Sequence, residues 1–487
     1  MKFITSSLFI FFVSLTSFAQ YTTPDTGVDW TLDDIATNSP GTVSVSGSVY
    51  TLLEDLTVAE SDALTIDADI TLEIEADVRV TVFGSFTVSG DDVLITAVEQ
   101  NSPYEGFRFE EFSTIDIQNA TIEYGGGLQV LTETFTLNNC IIQHNVSGTA
   151  SGASVTMSRG VPIITNNEFL FNDMPALSSG ANQNVSPYIF NNHIEGNNQA
   201  NENRPQINLA ATMPLDTLKI IQNTIIGDPN MTEAGGIAVA NLFGNDVFAV
   251  IKDNTIRDNR YGLSVYGPTN YVLIENNVIE DNNTQNEPML GGSGINLIAP
   301  GGNMEDVIVT KNQIRGNLWG ITLQNEASAN FGDDDENSGR NVFSENGNGG
   351  ETYALFNNTP NTLTAKHNCW VEDGEGTIEE AEGVISHVED DPSLGEVIFD
   401  PINCEELGTN ELATINVALY PNPSTGILNI ESEMTFESVQ FFNLNGQLVF
   451  EQNIEGQTKL NFNLPKGLYF VTLQTATNSF TQKLIVE

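Results

Sequence analysis

This sequence predicts an all-β chain: a right-handed parallel β-helix solenoid followed by a small C-terminal β-sandwich. Three observations carry the expectation. An asparagine motif recurs along the middle of the chain, a glycine-led strand motif follows it, and the pattern changes character near residue 412. Short strands recurring every few tens of residues, with no helical periodicity between them, are the mark of a solenoid.

Residues 1–20 (MKFITSSLFIFFVSLTSFAQ) have a lysine at position 2, an apolar run from Leu8 to Leu15, and small residues leading to Ala19. That is the pattern of a secretory signal peptide cleaved near Ala19 or Gln20. No later segment has the roughly 20 apolar residues that span a bilayer, so no transmembrane segment is expected. Residues 21–49 read as an N-terminal segment or cap, 50–405 as the helix, 406–411 as a linker and 412–487 as a separate module.

Within the helix, Asn-x-Φ-x-x-Asn (Φ, aliphatic or aromatic) occurs as Asn167/Asn172, Asn192/Asn197, Asn254/Asn259, Asn277/Asn282, Asn312/Asn317 and Asn341/Asn346. Asn223 fits with Asp228 in the second slot. The first asparagines stand 25, 31, 31, 23, 35 and 29 residues apart. After the second Asn comes Gly-Φ-x-Φ, led by Gly236, Gly262, Gly294 and Gly320. Coils stacked at ~4.8 Å set equivalent residues above one another, so Asn167, Asn192, Asn223, Asn254, Asn277, Asn312 and Asn341 are expected to form a hydrogen-bonded amide ladder. Asn270, outside this register, is expected to tolerate replacement. The glycine column is expected to let the backbone turn where a Cβ would clash.

These two signatures resemble the parallel β-helix repeat family that includes pectate-lyase-like proteins, over roughly residues 50–405. Residues 62–90, beginning DALTIDADITLEIEADVRVTVFGSFTV, look like the opening coils of such a helix. HNCWVEDGEGTIEEAEGVISHVEDDPSLGEVIFDPINC (367–404) looks like the closing segment of secreted members. Cys369 and Cys404 flank this acidic stretch. Outside the cytoplasm a disulfide between them is a candidate, and neither has the CxxC spacing of a zinc site. Cys140, in the strand-like run LNNCII, reads as a small buried hydrophobe.

From Leu412 onward, alternating hydrophobic residues broken by Asn-Gly and Lys-Gly turns read as a small β-sandwich. The motifs YPNPSTG, NLNGQLV, LPKGLYFV and the terminal KLIVE, in that order, resemble the type IX secretion sorting domain of Bacteroidota. The resemblance implies export, recognition of residues 412–487 by the type IX machinery, and a location outside the cell or on its outer surface.

Charge narrows the partners. The chain has 65 Asp+Glu against 16 Lys+Arg, a net charge of -49. Nucleic acid is excluded, since binding phosphates needs clustered cations. Polyanionic polysaccharides would need Ca²⁺ to bridge the charges.

The search for chemistry starts with the cations a lyase would need beside a base. Lys252 and Lys311 fall in a turn next to the ladder. Arg257 and Arg315 share a column with Glu195 and Glu280, which reads as an outward charge ladder. Arg260 sits next to the Gly-Φ-x-Φ strand. His144, His193, His367 and His387 fall in separate coils or at the end. The paired-arginine and Ile-Asp-His signatures of pectate lyases are absent. A hydrolase would need paired carboxylates, and no pair stands out, so catalytic residues stay unassigned.

The outward side of the Gly-Φ-x-Φ strands carries Ala238, Ser264, Asn296 and Thr322, with Tyr266 and Gln324 two residues further on. Tyr261 and Trp319 lie in the column before the glycine, two coils apart. Aromatic rings beside amides suit sugar stacking, so Tyr261, Tyr266, Asn296, Trp319 and Gln324 are candidate glycan contacts, with turn packing the structural alternative. Asp333, Asp335 and Asn337 have the Asp-x-Asp-x-Asn spacing of a Ca²⁺ loop, although Ser338 replaces the usual glycine and no Glu follows at the twelfth position; a solvated acidic loop is the alternative. The preferred reading is a secreted or surface-attached protein that binds glycan, adhesin-like. The alternative is a polysaccharide lyase or glycoside hydrolase on the same scaffold.

Overall fold

A computed structural model describes residues 20–404 apart from 215 and 305, and residues 418–486 apart from 433, 434, 443–447, 455 and 475–478. The expected signal peptide, up to residue 19, and the expected linker over 406–411 lie outside the described residues. The chain divides into two units, 1–405 and 406–487.

The larger unit is a right-handed parallel β-helix. Each coil visits three sheets in turn, and each strand pairs in parallel with the strand one coil later. The first sheet has 14 strands from Gln20–Thr22 to Ile385–Ser386, the second 14 from Asp29–Trp30 to Val397–Ile398, and the third 13 from Val43–Ser46 to Val342–Ser344. Alternation along each short strand sends one side chain in and the next out. The opening strands Ala63–Ile66, Thr71–Ile74 and Arg79–Val82 all bury their second and fourth residues. The interior is one continuous stack of Ile, Val and Leu, widened in the opening coils by Phe86, Phe107, Phe109 and Phe135, whose rings lie 5.8–6.1 Å apart.

The expected cap, residues 21–49, supplies the first strand of the second and third sheets and most of the first strand of the first, the third-sheet strand pairing antiparallel with Val49–Leu52. It also holds the helix Leu32–Asn38, whose Thr31/Asp34 capping box satisfies the exposed amides of the first turn. Leu32 and Ile35 are buried in the core. At the other end, Trp370 stacks on Phe343 at 4.9 Å, and a disulfide joins Cys369 to Cys404 across the closing segment.

Buried asparagines organise the middle coils. Asn254 shows the arrangement. Its Oδ1 accepts from the backbone N and the Nδ2 of Asn223 at 2.9 and 3.0 Å, while its Nδ2 donates to Asn277 Oδ1 at 2.9 Å and to the Ile220 carbonyl at 2.8 Å. The same bonds link Asn167, Asn192, Asn223, Asn277, Asn312 and Asn341, and the column runs on to Asn368. Cys140 ends it at the other side: its backbone N donates to Asn167 Oδ1, and burial pushes its thiol up to about 12.

A second column runs through Asn145, Asn172 and Asn197, then Asn259, Asn282, Asn317 and Asn346. Asp228 does not take the vacant slot; it accepts from Gln199 and Asn230. Gln206 bridges the gap, accepting from Asn197 and donating to Asn259.

The glycine column is crowded as expected, and the expectation for Asn270 needs correction. Gly236, Gly262, Gly294 and Gly320 do not occupy the left-handed region. They are glycine because the next coil presses on them: a Cβ on Gly262 would lie 2.5 Å from the Gly294 carbonyl oxygen and 2.6 Å from Ile279 Cγ2. The left-handed residues stand instead just before the ladder asparagines, at Asn166, Asn191, Gln222, Asp253, Asn276, Lys311 and Arg340. Asn270, in turn, is fully buried and donates to the Gly267 carbonyl at 2.6 Å, so it is no neutral position.

The C-terminal unit is a β-sandwich. A three-stranded sheet (Ala418–Tyr420, Ile427–Glu431, Lys459–Asn461) and a four-stranded one (Ser438–Phe442, Leu448–Asn453, Gly467–Gln474, Ser479–Val486) are antiparallel. Their core includes Leu428, Val439, Phe441, Val471 and Leu484.

Candidate functional site

Strand register places the candidate glycan residues on the outer side of the first sheet. Ala238, Ser264, Asn296, Thr322 and Phe356 form one outward column, and Ala240, Tyr266, Ile298, Gln324 and Asn358 the next. The first column is internally bonded. Thr322 Oγ1 donates to Asn296 Oδ1 at 2.9 Å, Gln324 Nε2 approaches the same oxygen at 3.4 Å, and Thr322 also meets Ser293 Oγ at 2.9 Å. These are hydroxyls and amides with no formal charge, partly open to solvent at Ser264, Asn296 and Gln324.

Trp319 anchors one end of this row. Its ring lies 4.6 Å from Tyr353 and 5.5 Å from Phe356, and its Nε1 donates to the Pro288 carbonyl at 3.0 Å. That bond ties it to the loop carrying the exposed Met289 and Leu290. Trp319, Tyr353 and Phe356 are all partly exposed.

Tyr261 does not join them. It stands two coils away with Ser293 between, and its ring covers Gly235, where a Cβ would lie 2.3 Å from Cζ. Burial pushes its hydroxyl up to about 12, with Arg260 opposing. Tyr266 and Gln324 share a column but are separated by Ile298. The structure thus joins Asn296 to Gln324 and sets Trp319 with Tyr353 and Phe356, the last of them in register with Thr322.

The acidic loop folds on itself. Asp333 Oδ1 accepts from the backbone amides of Asp335, Glu336 and Asn337 at 2.8–2.9 Å, and these bonds hold its carboxyl down to about 2. Asn337 is buried, donating to the Asn330 carbonyl and accepting from the Gly339 amide. Asp333 and Asn337 thus spend oxygens on the loop's own backbone, and Asp335 lines the same hollow as both. Asp334 pairs with Lys366 and His367. Among the described residues no group of three or more His, Cys, Asp or Glu side chains is arranged to hold a metal ion.

The cations singled out from the sequence scatter. Lys252 and Lys311 grip Glu275 from both sides on the second sheet, at 2.7 and 2.8 Å. On the third sheet, Arg315 pairs with Glu280 and Glu372, Arg257 with its neighbour Asp258, and Ile226 separates Arg257 from Glu195. Arg260 is buried and donates to Asn203 and the Leu290 carbonyl. His144 stacks between Tyr124 and Phe171, while His193, His367 and His387 bond separate carboxylates.

Three further arginines pair in or beside the opening coils. Arg79 pairs with Glu105, Arg108 with Glu110, and Arg159 with Glu111. No sequence signal placed them: the coils of Arg79 and Arg108 lack the asparagine from which columns can be aligned, and Arg159 stands in a turn outside the motif.

Residues 418–487 match the family model described as a secretion system C-terminal sorting domain. The protein is accordingly a parallel β-helix carrying a type IX secretion sorting domain, and it is secreted or held at the outer cell surface. Among solved structures, the β-helix is similar to two mutants of the periplasmic alginate epimerase AlgG. One, a double mutant, has 9% identity and a TM-score of 0.43, covering 76% of this chain and 83% of that one. The other, a single mutant, has 12% identity and a TM-score of 0.41, covering 77% and 83%. No curated protein matches the sequence.

Proposed function

We propose that this is a secreted or surface-held glycan-binding protein whose ligand lies across the outer side of the first sheet in the middle coils. The observation that carries the reading is the Trp319–Tyr353–Phe356 cluster beside an uncharged row of hydroxyls and amides, on a chain of net charge -49. Aromatic faces stack on the C–H faces of pyranose rings, and side-chain amides and hydroxyls exchange hydrogen bonds with sugar hydroxyls. A row without formal charge suits a neutral sugar.

Degradation of a polysaccharide, the alternative, would call on cations free to neutralise a uronate. Arg79, Arg108, Arg159, Lys252, Lys311 and Arg315 are each paired with a carboxylate, which favours binding.

The test is to present the protein to a panel of marine and plant polysaccharides with and without Ca²⁺, following binding, unsaturated-product absorbance and reducing ends. Binding without product is expected, and Trp319→Ala should weaken it by roughly tenfold, as loss of about 1–2 kcal/mol of stacking implies. Product formation that survives Trp319→Ala and is lost on replacing Arg257, Arg260 or Lys252 would overturn the reading in favour of a lyase.

A further inference from the structure

The outer side of the second sheet changes character along its length. One outward column begins with Thr65, Thr87, Asp116 and Thr136. From the strand Ile163–Thr165 onward the same column carries Ile163, Tyr188, Lys219, Val250, Leu273 and Ile308. The neighbouring column changes likewise, from Gln118, Asn138 and Thr165 to Phe190 and Ile221. Tyr188 stacks on Phe190 at 5.6 Å, and Phe248 on Tyr271 at 4.8 Å. All of these side chains are at least partly exposed.

The charge pattern changes with them. The stretch carries Lys219, Lys252 and Lys311 against Glu275, which two of those lysines grip, Asp253 beside Lys252, and Asp306 at its edge. On a chain with 65 acids and 16 bases this is an acid-poor surface.

We propose that this face, six coils of the second sheet from Ile163 to Ile308, docks a second copy of the chain, sheet against sheet. A sheet face lined by aliphatic and aromatic residues is the surface that packs on another sheet, about 10 Å away with side chains interdigitated. Charge selects the place. Two copies of net charge -49 repel over most of their surfaces, and approach is least opposed where lysines balance carboxylates, as they do here.

A two-fold axis lying between the two sheets, parallel to the strands and midway between those of Lys219 and Val250, sets Tyr188 of one copy opposite Leu273 of the other, large against small. Six strands ~4.8 Å apart and up to six residues long give roughly 500 Å² per copy. That is below the ~800 Å² per partner of a stable complex, so the dimer is weak and concentration-dependent. The face lies on a different sheet from the glycan row, and either reading can fail without the other.

Sedimentation equilibrium of the exported chain from about 1 µM to about 1 mM tests this. A monomer–dimer equilibrium is expected, strengthened by added salt because screening removes the repulsion between polyanions. Ile221→Glu with Leu273→Glu should weaken association at least tenfold while leaving the melting temperature in place. Tyr188→Ser with Val250→Thr, which adds no charge, should act in the same direction and covers the case in which the glutamates disturb folding.

A wild type that stays monomeric at high salt overturns the proposal, as does a dimer untouched by both pairs of substitutions. Adsorption of monomers to anionic vesicles, lost with the same substitutions, would also overturn it and assign the face to a lipid surface.

Discussion

The opening coils, residues 55–138, and the middle coils, residues 140–368, share one backbone plan and hold their turns by different side chains. In the opening coils the turn amides are met by carboxylates. Asp62 accepts from the backbone N–H groups of Asp25, Thr26, Gly27 and Val28, and Asp69 from those of Asp91 and Asp92. A carboxylate only accepts, so each such contact ends where it begins. An asparagine amide accepts and donates, so in the middle coils the bonds pass from coil to coil without a break. A turn fixed from within leaves the rest of the coil free to vary, and the ladder spans steps as unlike as 23 and 35 residues. The loop bearing Met289, the aromatic cluster and the apolar stretch of the second sheet all belong to these middle coils. Stability and variable surface are joined there because the amides carry the register.

The largest expected effect concerns neither set of coils. Deleting residues 412–487 should abolish release into the medium while the helix still folds, as immunoblots of medium and periplasm and a thermal melt would show. Next comes the closing segment. Cys404→Ser opens a bridge of sequence separation 35, and the loop-entropy relation puts the loss at about 4 kcal/mol. Because neighbouring coils support one another only locally, hydrogen exchange should show that loss concentrated in residues 369–404.

Asn254→Leu should cost about 1–3 kcal/mol, since its neighbours' buried amides lose a partner. The matching change at an outward position, Ser264→Ala, should leave the melt in place, and an equal loss at both would erase the distinction between ladder and surface. In acid the contrast appears at Asp62. Against the upward push of burial, a hydrogen bond from the Thr23 side chain and then those from the backbone amides hold its carboxyl down to about 2, from an ordinary value near 3.8. Its contribution is therefore fully present above about pH 4 and lost as pH falls through about 2. Amide protection at residues 25–28 should fade over that window, and Asp62→Asn should flatten the dependence. Smallest of all, Arg257→Ala removes an exposed pair with Asp258 and should cost under ~1 kcal/mol, less in salt.

The fold class could be read from the sequence because stacking makes equivalent positions repeat, and the sorting domain because its turns and strands fall in a fixed order. The site was legible only in part. Trp319 stood out as a rare residue in a marked column. Its neighbours Tyr353 and Phe356 lie in a coil where Gly347–Asn348 and Glu351–Thr352 form an extra hairpin, and this displaces them from the spacing that aligned the others. Gln206 was hidden for a similar reason: it occupies the column held by glycine in later coils and reaches from there into the amide chain. At the calcium spacing the loop's own backbone amides compete for the same oxygens, three of them bonding Asp333. The opening-coil arginines could not be aligned at all, since Asp62 and Asp69 repeat with no ladder.

Footprinting with hydroxyl radicals, using the tightest-binding glycan from the panel, tests most directly whether the ligand surface belongs to the middle coils. Bound ligand should protect Trp319, Tyr353 and Phe356 and leave Phe83, Phe112 and the residues around Arg108 and Arg159 unchanged. Protection centred on the opening coils, with Trp319 still reactive, would contradict the account.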